Sequence, residues 1–178
     1  MRQVQAGEIA QVALLFERYN VALFRYLFGL SSNRALSEDL VQEVFFRVIK
    51  YAKTYDPNQA FAGWLYRMAR NAYIDSQRKA SREVAADPLA EVKSGEPVPE
   101  ELVTRKQDAQ FLQEALRRLP QDKREVLMLS RFHNLRYEEI GRILECEVGA
   151  VKGRVFRALK ELRQTFYELR GERVYDAR

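Results

Sequence analysis

The run from Leu116 to Arg163, LRRLPQDKREVLMLSRFHNLRYEEIGRILECEVGAVKGRVFRALKELR, constrains the fold most. Two short apolar-periodic segments lead into a brief turn and then a basic segment. That order predicts a helix-turn-helix, whose last helix has the form that enters a DNA major groove. In the last segment Val151, Val155, Leu159, Leu162 and Phe166 recur at steps of three and four, which makes them the buried stripe. Lys152, Arg154, Arg157 and Lys160 fall off that stripe, and they are side chains suited to guanine edges and phosphates. A solvated basic face on a structural helix is the competing reading of these four residues. The preceding segment, Tyr137 to Leu144, tips the balance: it is short, and its Gly141 allows a close helix crossing.

A second basic block lies upstream. Residues 61–82 carry Arg67, Arg70, Arg78, Lys79 and Arg82 against Asp75 alone, among the aromatics Phe61, Trp64, Tyr66 and Tyr73. Between the blocks, residues 83–101 hold six acidic side chains against Lys93, with Pro88, Gly95, Pro97 and Pro99. Loss of helical period and gain of proline predict a linker there. The N-terminal part reads as helices: one over Ile9–Leu30, one starting at Ser37 as N-cap, and one over about 60–80. Asp56-Pro57-Asn58 is a turn between the last two. Asp122 and Glu125 read as a capping pair opening the helix after Pro120. No stretch alternates as a strand does. The predicted fold is therefore all-α, with two small helical domains on a flexible linker: 1–80, linker 81–103, 104–170 and a short tail 171–178.

Charge agrees with a nucleic-acid partner. The chain of 178 residues has net charge +5 and a pI near 9.4, and a hydrophobic fraction of 47% supplies packed cores. The single Cys146 permits no intrachain disulfide, which fits a reducing cytosol, and no apolar run resembles a signal peptide or a membrane span. His133 and Cys146 are too few for a zinc site, and no nucleophile–base arrangement, phosphate loop or carboxylate pair appears. We therefore expect no catalytic residue, no metal and no cofactor. His133 is expected to be exposed in an interhelical loop, and Cys146 to be a small packing residue.

The segment LPQDKREVLMLSRFHNLRYEEIGRIL…VGAVKGRVFRALKELR resembles region four of the extracytoplasmic-function (group IV) sigma factors of bacterial RNA polymerase. FERYNVALFRYLFGLSSNRALSEDLVQEVFFRVIKYAKTYDP followed by FAGWLYRMARNAYIDSQRK resembles region two of the same family. The two halves agree in order and spacing. The resemblance implies a non-catalytic, cytoplasmic subunit for transcription initiation. Its partners would be the polymerase core, through the clamp of the largest subunit, promoter DNA, and an anti-sigma factor. It implies minus-35 contacts from Lys152, Arg154, Arg157 and Lys160. Minus-10 contacts would come from Phe61, Arg67, Arg70, Asn71, Tyr73, Arg78 and Lys79, with the Tyr55–Phe61 turn as base pocket. Clamp contacts would come from Asp39, Gln42, Glu43 and Arg47, while Val41, Val44, Phe45 and Val48 are core. Trp64 is expected to be mainly structural. The chain departs from the family pattern at Arg136, where a hydroxyl residue often caps the helix, at Glu145 and Glu147 in the turn, and at Ala150 and Gly153 in the reading helix. The other readings of the residues are a stand-alone helix-turn-helix regulator with an N-terminal sensing or dimerisation domain, and a regulator-binding protein without promoter activity.

Overall fold

A computed structural model describes residues 1–86 and 103–171, with side chains over 1–82 and 107–171. Every regular element among them is helical. The order is α1 (Arg2–Gln5), a 3₁₀ turn (Ile9–Gln11), α2 (Val12–Ser31), α3 (Arg34–Lys50), a 3₁₀ turn (Ala52–Thr54), α4 (Phe61–Ala86), α5 (Val103–Arg118), α6 (Gln121–Leu127), a π-helical turn (Met128–Phe132), α7 (Tyr137–Leu144) and α8 (Val148–Leu169). The all-α, two-domain expectation holds.

In the N-terminal half, α2, α3 and α4 pack on one another. Their buried residues follow the helical repeat: Leu23, Tyr26, Leu27 and Leu30 on α2, Leu40, Val41, Val44, Phe45 and Val48 on α3, and Leu65, Ala69, Ala72 and Tyr73 on α4. The four α3 residues expected in the core are all there. The α2 helix stops where Ser32 turns left-handed at φ 51°, with its N–H on the Phe28 carbonyl. The α3 helix begins earlier than its sequence suggests. Asn33, not Ser37, is the N-cap, and its side chain accepts the Leu36 amide at 3.0 Å. Ser37 is instead fully buried, and its hydroxyl donates back to the Asn33 carbonyl at 2.6 Å. Both residues are good caps. Leu40 and Val41 lie buried on α3 whichever residue caps it, so the apolar period could not choose between them.

In the C-terminal half, α8 is the spine against which α5, α6 and α7 pack. Its buried residues are Val151, Val155 and Ala158, with Leu159 and Leu162 partly buried against the same core. Asp122 and Glu125 form no capping pair: Pro120 precedes α6 without a side-chain cap, and Glu125 is buried elsewhere. Arg136 starts α7 in the place of a hydroxyl cap, and Glu139 compensates by accepting the Arg136 amide at 2.8 Å.

Two further differences bear on function. The α4 helix continues to Ala86, so residues 81–86 of the expected linker are helical. No proline interrupts them, and Pro88 is the first residue that would. Val103, the last residue of that expected linker, opens α5, and 87–102 and the tail after Gly171 lie outside the described residues. The two halves are also packed together, α6 on α2 and α7 on α4. Nothing in the periodicity of either half announces this contact.

Candidate nucleic-acid and polymerase interface

Residues expected on α8 lie on one open side of the helix-turn-helix. Lys152, Arg157 and Lys160 are exposed and Arg154 is half-buried. The main packing partners of α8 all belong to its own half, and the exposed side chains of this face lie in solvent. Phe156 is 71% exposed in the middle of it. Its signal was available: at i+4 from Lys152 and i−4 from Lys160 it belongs to the basic side, not to the buried stripe. Gly153 also has a local effect. A Cβ there would come within 3.3 Å of the Arg157 guanidinium, so the missing side chain lets Arg157 fold over its own helix.

The turn before α8 is built from a close backbone approach. A Cβ on Gly141 would meet the Cys146 carbonyl oxygen at 2.7 Å, and the Cys146 amide donates to the Gly141 carbonyl at 2.9 Å. Glu145, where the family pattern has glycine, sits left-handed at φ 54°. That conformation costs a non-glycine residue on the order of 1 kcal/mol. Cys146 is partly buried against the core, as a packing residue.

On α3, Asp39, Gln42 and Glu43 are exposed. Arg47 is held between Glu43 at 2.8 Å and Asp75 of α4 at 3.1 Å. Phe46, three residues after Glu43, is 69% exposed on the same side. Its signal was in the sequence too: one position past Phe45, it falls off the buried period of α3.

The α4 set divides. Arg47, Arg70, Asn71 and Arg78 share a cleft with Trp64 and Glu145, and Arg67 lines the adjoining cleft with Glu139 and Arg142 of α7. Lys79 is exposed further along the helix. Tyr73 faces inward in this arrangement: it is buried, its hydroxyl donates to the Leu30 carbonyl at 3.2 Å, and burial raises its pKa. Phe61 is half-buried, edge-on to Tyr19 at 5.2 Å and near Trp64. Trp64 packs on Tyr55 at 5.1 Å, consistent with its structural part. The preceding loop is preformed. Asp56 accepts the Asn58 amide at 2.9 Å and the Gln59 side chain at 3.3 Å, which together hold its carboxyl below the usual range.

His133 is not exposed. It is half-buried between the halves, its Nδ1 2.7 Å from the Tyr66 hydroxyl. Burial, with the Arg25 charge, lowers its pKa to about 4. Nearby, Glu125 receives the Tyr26 hydroxyl at 2.9 Å and lies 3.2 Å from Arg70 Nε. Burial and the Glu125 charge raise the Tyr26 pKa well above its ordinary value.

Family models of sigma-70 region 2 and sigma-70 region 4 match residues 15–83 and 110–162. The chain is 30% identical over 181 residues to the ECF RNA polymerase sigma factor SigW of Bacillus subtilis, covering 95% of this chain and 96% of that one. The chain belongs to the extracytoplasmic-function sigma factors. As a sigma factor it is a regulatory subunit rather than an enzyme. It is also 34% identical over 144 residues to SigE of Mycolicibacterium smegmatis, covering 79% of this chain and 56% of the relative's length. The fold matches that of the sigma factor RpoE from Bartonella quintana, solved in complex with the anti-sigma factor NepR: TM-score 0.74, 26% identity, 86% of this chain and 94% of that one. Among the described residues of this sigma factor, no helix is long and apolar enough to cross a membrane, and no three His, Cys, Asp or Glu side chains gather as a metal site.

Proposed function

We propose that this sigma factor docks on core RNA polymerase through α3, reads duplex minus-35 DNA with α8, and captures the opened minus-10 strand with α4 and the loop before it. The observation that carries this reading is the pairing, in one chain, of an unobstructed basic helix in a helix-turn-helix with a separate basic helix flanked by aromatics. The first suits duplex grooves and phosphates. The second suits unpaired bases, which need stacking surfaces to offset lost pairing. Residues 1–80 are assigned to core binding and the minus-10 element, and 104–170 to the minus-35 element. The sigma factor works in the cytoplasm, and an anti-sigma factor restrains it, a partner supported by the complex in which the similar RpoE was solved. The test is run-off transcription with purified core polymerase on a promoter panel. Specific transcripts that need both proteins are expected. Specific duplex binding with no transcript over core alone would favour the stand-alone regulator.

The clamp face is Asp39, Gln42, Glu43 and Arg47, with Phe46 as its apolar centre. An exposed aromatic ringed by polar side chains has the composition of a binding hot spot. Phe46→Ala is expected to weaken core binding by about 2 kcal/mol, more than charge reversal at Glu43, because a rim charge in water contributes little. Folding should be untouched, since the ring is largely in solvent. Equal core affinity in a titration of labelled sigma factor would remove α3 as the docking face.

On α8, Arg157→Ala is expected to cost ~1–3 kcal/mol at one promoter position if the guanidinium reads a base edge. Phe156→Ala should instead relax preference at a thymine, whose methyl group an apolar ring can contact. Lys152→Ala should weaken all sequences alike and lower the salt slope by about one unit. Binding to single-base variants of the minus-35 duplex at two salt concentrations separates these outcomes. No change in any of the three would show that this helix does not read DNA.

A further inference from the structure

The loop before α4 is held by a segment to which the promoter reading gives no task. The chain reverses at Gly7, whose φ of 101° suits glycine, and α1 packs against the 3₁₀ turn Ala52–Thr54. Val4 is buried there. Gln5 makes the decisive contact. Its side-chain amide donates to the Ala52 carbonyl at 3.1 Å and to the Tyr55 carbonyl at 2.7 Å. Ala52 and Tyr55 are both buried, where a carbonyl left without a donor costs free energy. Tyr55 is also where the chain leaves the turn for the exposed residues 56–60. Its hydroxyl donates across that loop to the Gln59 carbonyl at 2.5 Å. Gln5 therefore fixes the residue that in turn fixes the loop.

The same fold-back builds a surface pocket of about 250 Å³. Met1 and Arg2 come to it from the α1 side, Arg18 and Tyr19 from α2, and Pro57 and Phe61 from the loop and the start of α4. Tyr19 and Phe61 meet edge-on at 5.2 Å, and the Arg18 guanidinium lies 5.5 Å from the centre of the Tyr19 ring. Arg2 and Arg18 are exposed, and Arg2 is near enough for its charge to act on the Tyr55 hydroxyl. The carboxylate of the loop, Asp56, is engaged by Asn58 and Gln59. Two cations beside half-buried aromatic rings suit an unpaired base and the phosphates that flank it. A duplex keeps its bases stacked and has no use for the rings.

We propose that α1 and the start of α2 complete the site for the opened minus-10 strand. Arg2 and Arg18 hold phosphates flanking a base that stacks against Tyr19 and Phe61. Gln5 is a positioning residue that keeps the loop in the shape that receives this base. Arg2, Gln5, Arg18 and Tyr19 all lie outside the minus-10 set read from the sequence. This inference rests on the promoter reading above, and the experiment separates the two.

Holoenzyme assembled from core polymerase and the full chain is titrated with fork-junction fragments of the promoter panel, duplex at minus-35 and single-stranded across minus-10. The wild-type protein is expected to favour the fork over the same fragment made fully duplex. Arg2→Ala and Arg18→Ala should each weaken fork binding on the order of fivefold and lower its salt slope by about 0.7, the value for one phosphate of a single strand. Arg2→Lys and Arg18→Lys should keep the wild-type slope, and no variant should alter binding of the free chain to a minus-35 duplex. Gln5→Met keeps the length of the side chain and removes the donor. It should stay folded by its thermal transition and lose discrimination among the four bases at one minus-10 position. Fork affinity and salt slope unchanged in both alanine variants, with the wild-type preference for the fork intact, overturn the inference and leave the promoter reading standing. Unchanged base discrimination in Gln5→Met overturns the positioning role. Wild-type holoenzyme with no preference for the fork overturns the promoter reading, and this inference with it.

Discussion

Replacing Gly141 by alanine is expected to destabilise the C-terminal half by about 2–3 kcal/mol, even though alanine is favoured over glycine in a helix by ~1 kcal/mol. The cause is a single contact. The new Cβ would stand 2.7 Å from the Cys146 carbonyl oxygen, inside any acceptable separation. That oxygen cannot retreat freely. The Cys146 amide is bonded to the Gly141 carbonyl, and Glu145 is already held left-handed to bring the chain back over α7. Relief therefore has to come from moving α8 relative to α7, which also disturbs Val151 beneath them. For a half of this size the cost corresponds to a fall in melting temperature on the order of 10 °C or more. Thermal unfolding of a 104–178 fragment and of the full chain measures it. Minus-35 binding should fall with it, because the angle between α7 and α8 aims the reading helix. An unchanged melting temperature would mean that the turn yields without cost.

The sequence made the elements legible because each helix carries an unambiguous apolar period. Leu40, Val41, Val44 and Val48 on α3, or Val151 and Val155 on α8, leave no other side to bury. Boundaries were less legible where two residues qualify for one task, as Asn33 and Ser37 do at the start of α3. Gly141 reads as a site of close crossing, but its partner is a backbone oxygen five residues on, which no side-chain pattern encodes. Surface residues were hardest when apolar. Phe46 and Phe156 look like core in a list, and only their phase against the buried stripe reveals them. The seam between the halves was not legible at all. Glu125 reads as a cap, His133 as a loop residue and Tyr26 as core, and each has an adequate local explanation. Their partners lie 99 residues away in one case and 67 in the other, so no local signal joins them.

The same seam makes closure depend on pH, and the direction follows from His133. In the closed arrangement its pKa is lowered to about 4, first by burial and then by Arg25 of α2. Separated from α2 and α4, the ring would titrate near the ordinary ~6.5. Closure therefore favours the neutral ring. Its contribution is complete above about pH 6.5 and is lost as pH falls from there toward 4. The groups facing the imidazole are the Tyr66 hydroxyl of α4 and, from α2, the Tyr26 ring and the Arg25 charge. None offers a carboxylate that would welcome the proton. A shift of this size, discounted for a ring still partly in water, is worth about 2 kcal/mol, or roughly a 30-fold change in the ratio of closed to open. Trp64 provides the readout. It is the sole tryptophan of the chain, and it lines the cleft closed by Glu139 and Arg142 of α7. Its emission should be steady above pH 7 and change progressively below 6.5 as the cleft fills with water. His133→Gln, which can still accept from Tyr66 but does not titrate, should flatten that profile down to about pH 5, where carboxylates begin to protonate. A profile identical in the two proteins would show that His133 does not govern the contact between the halves.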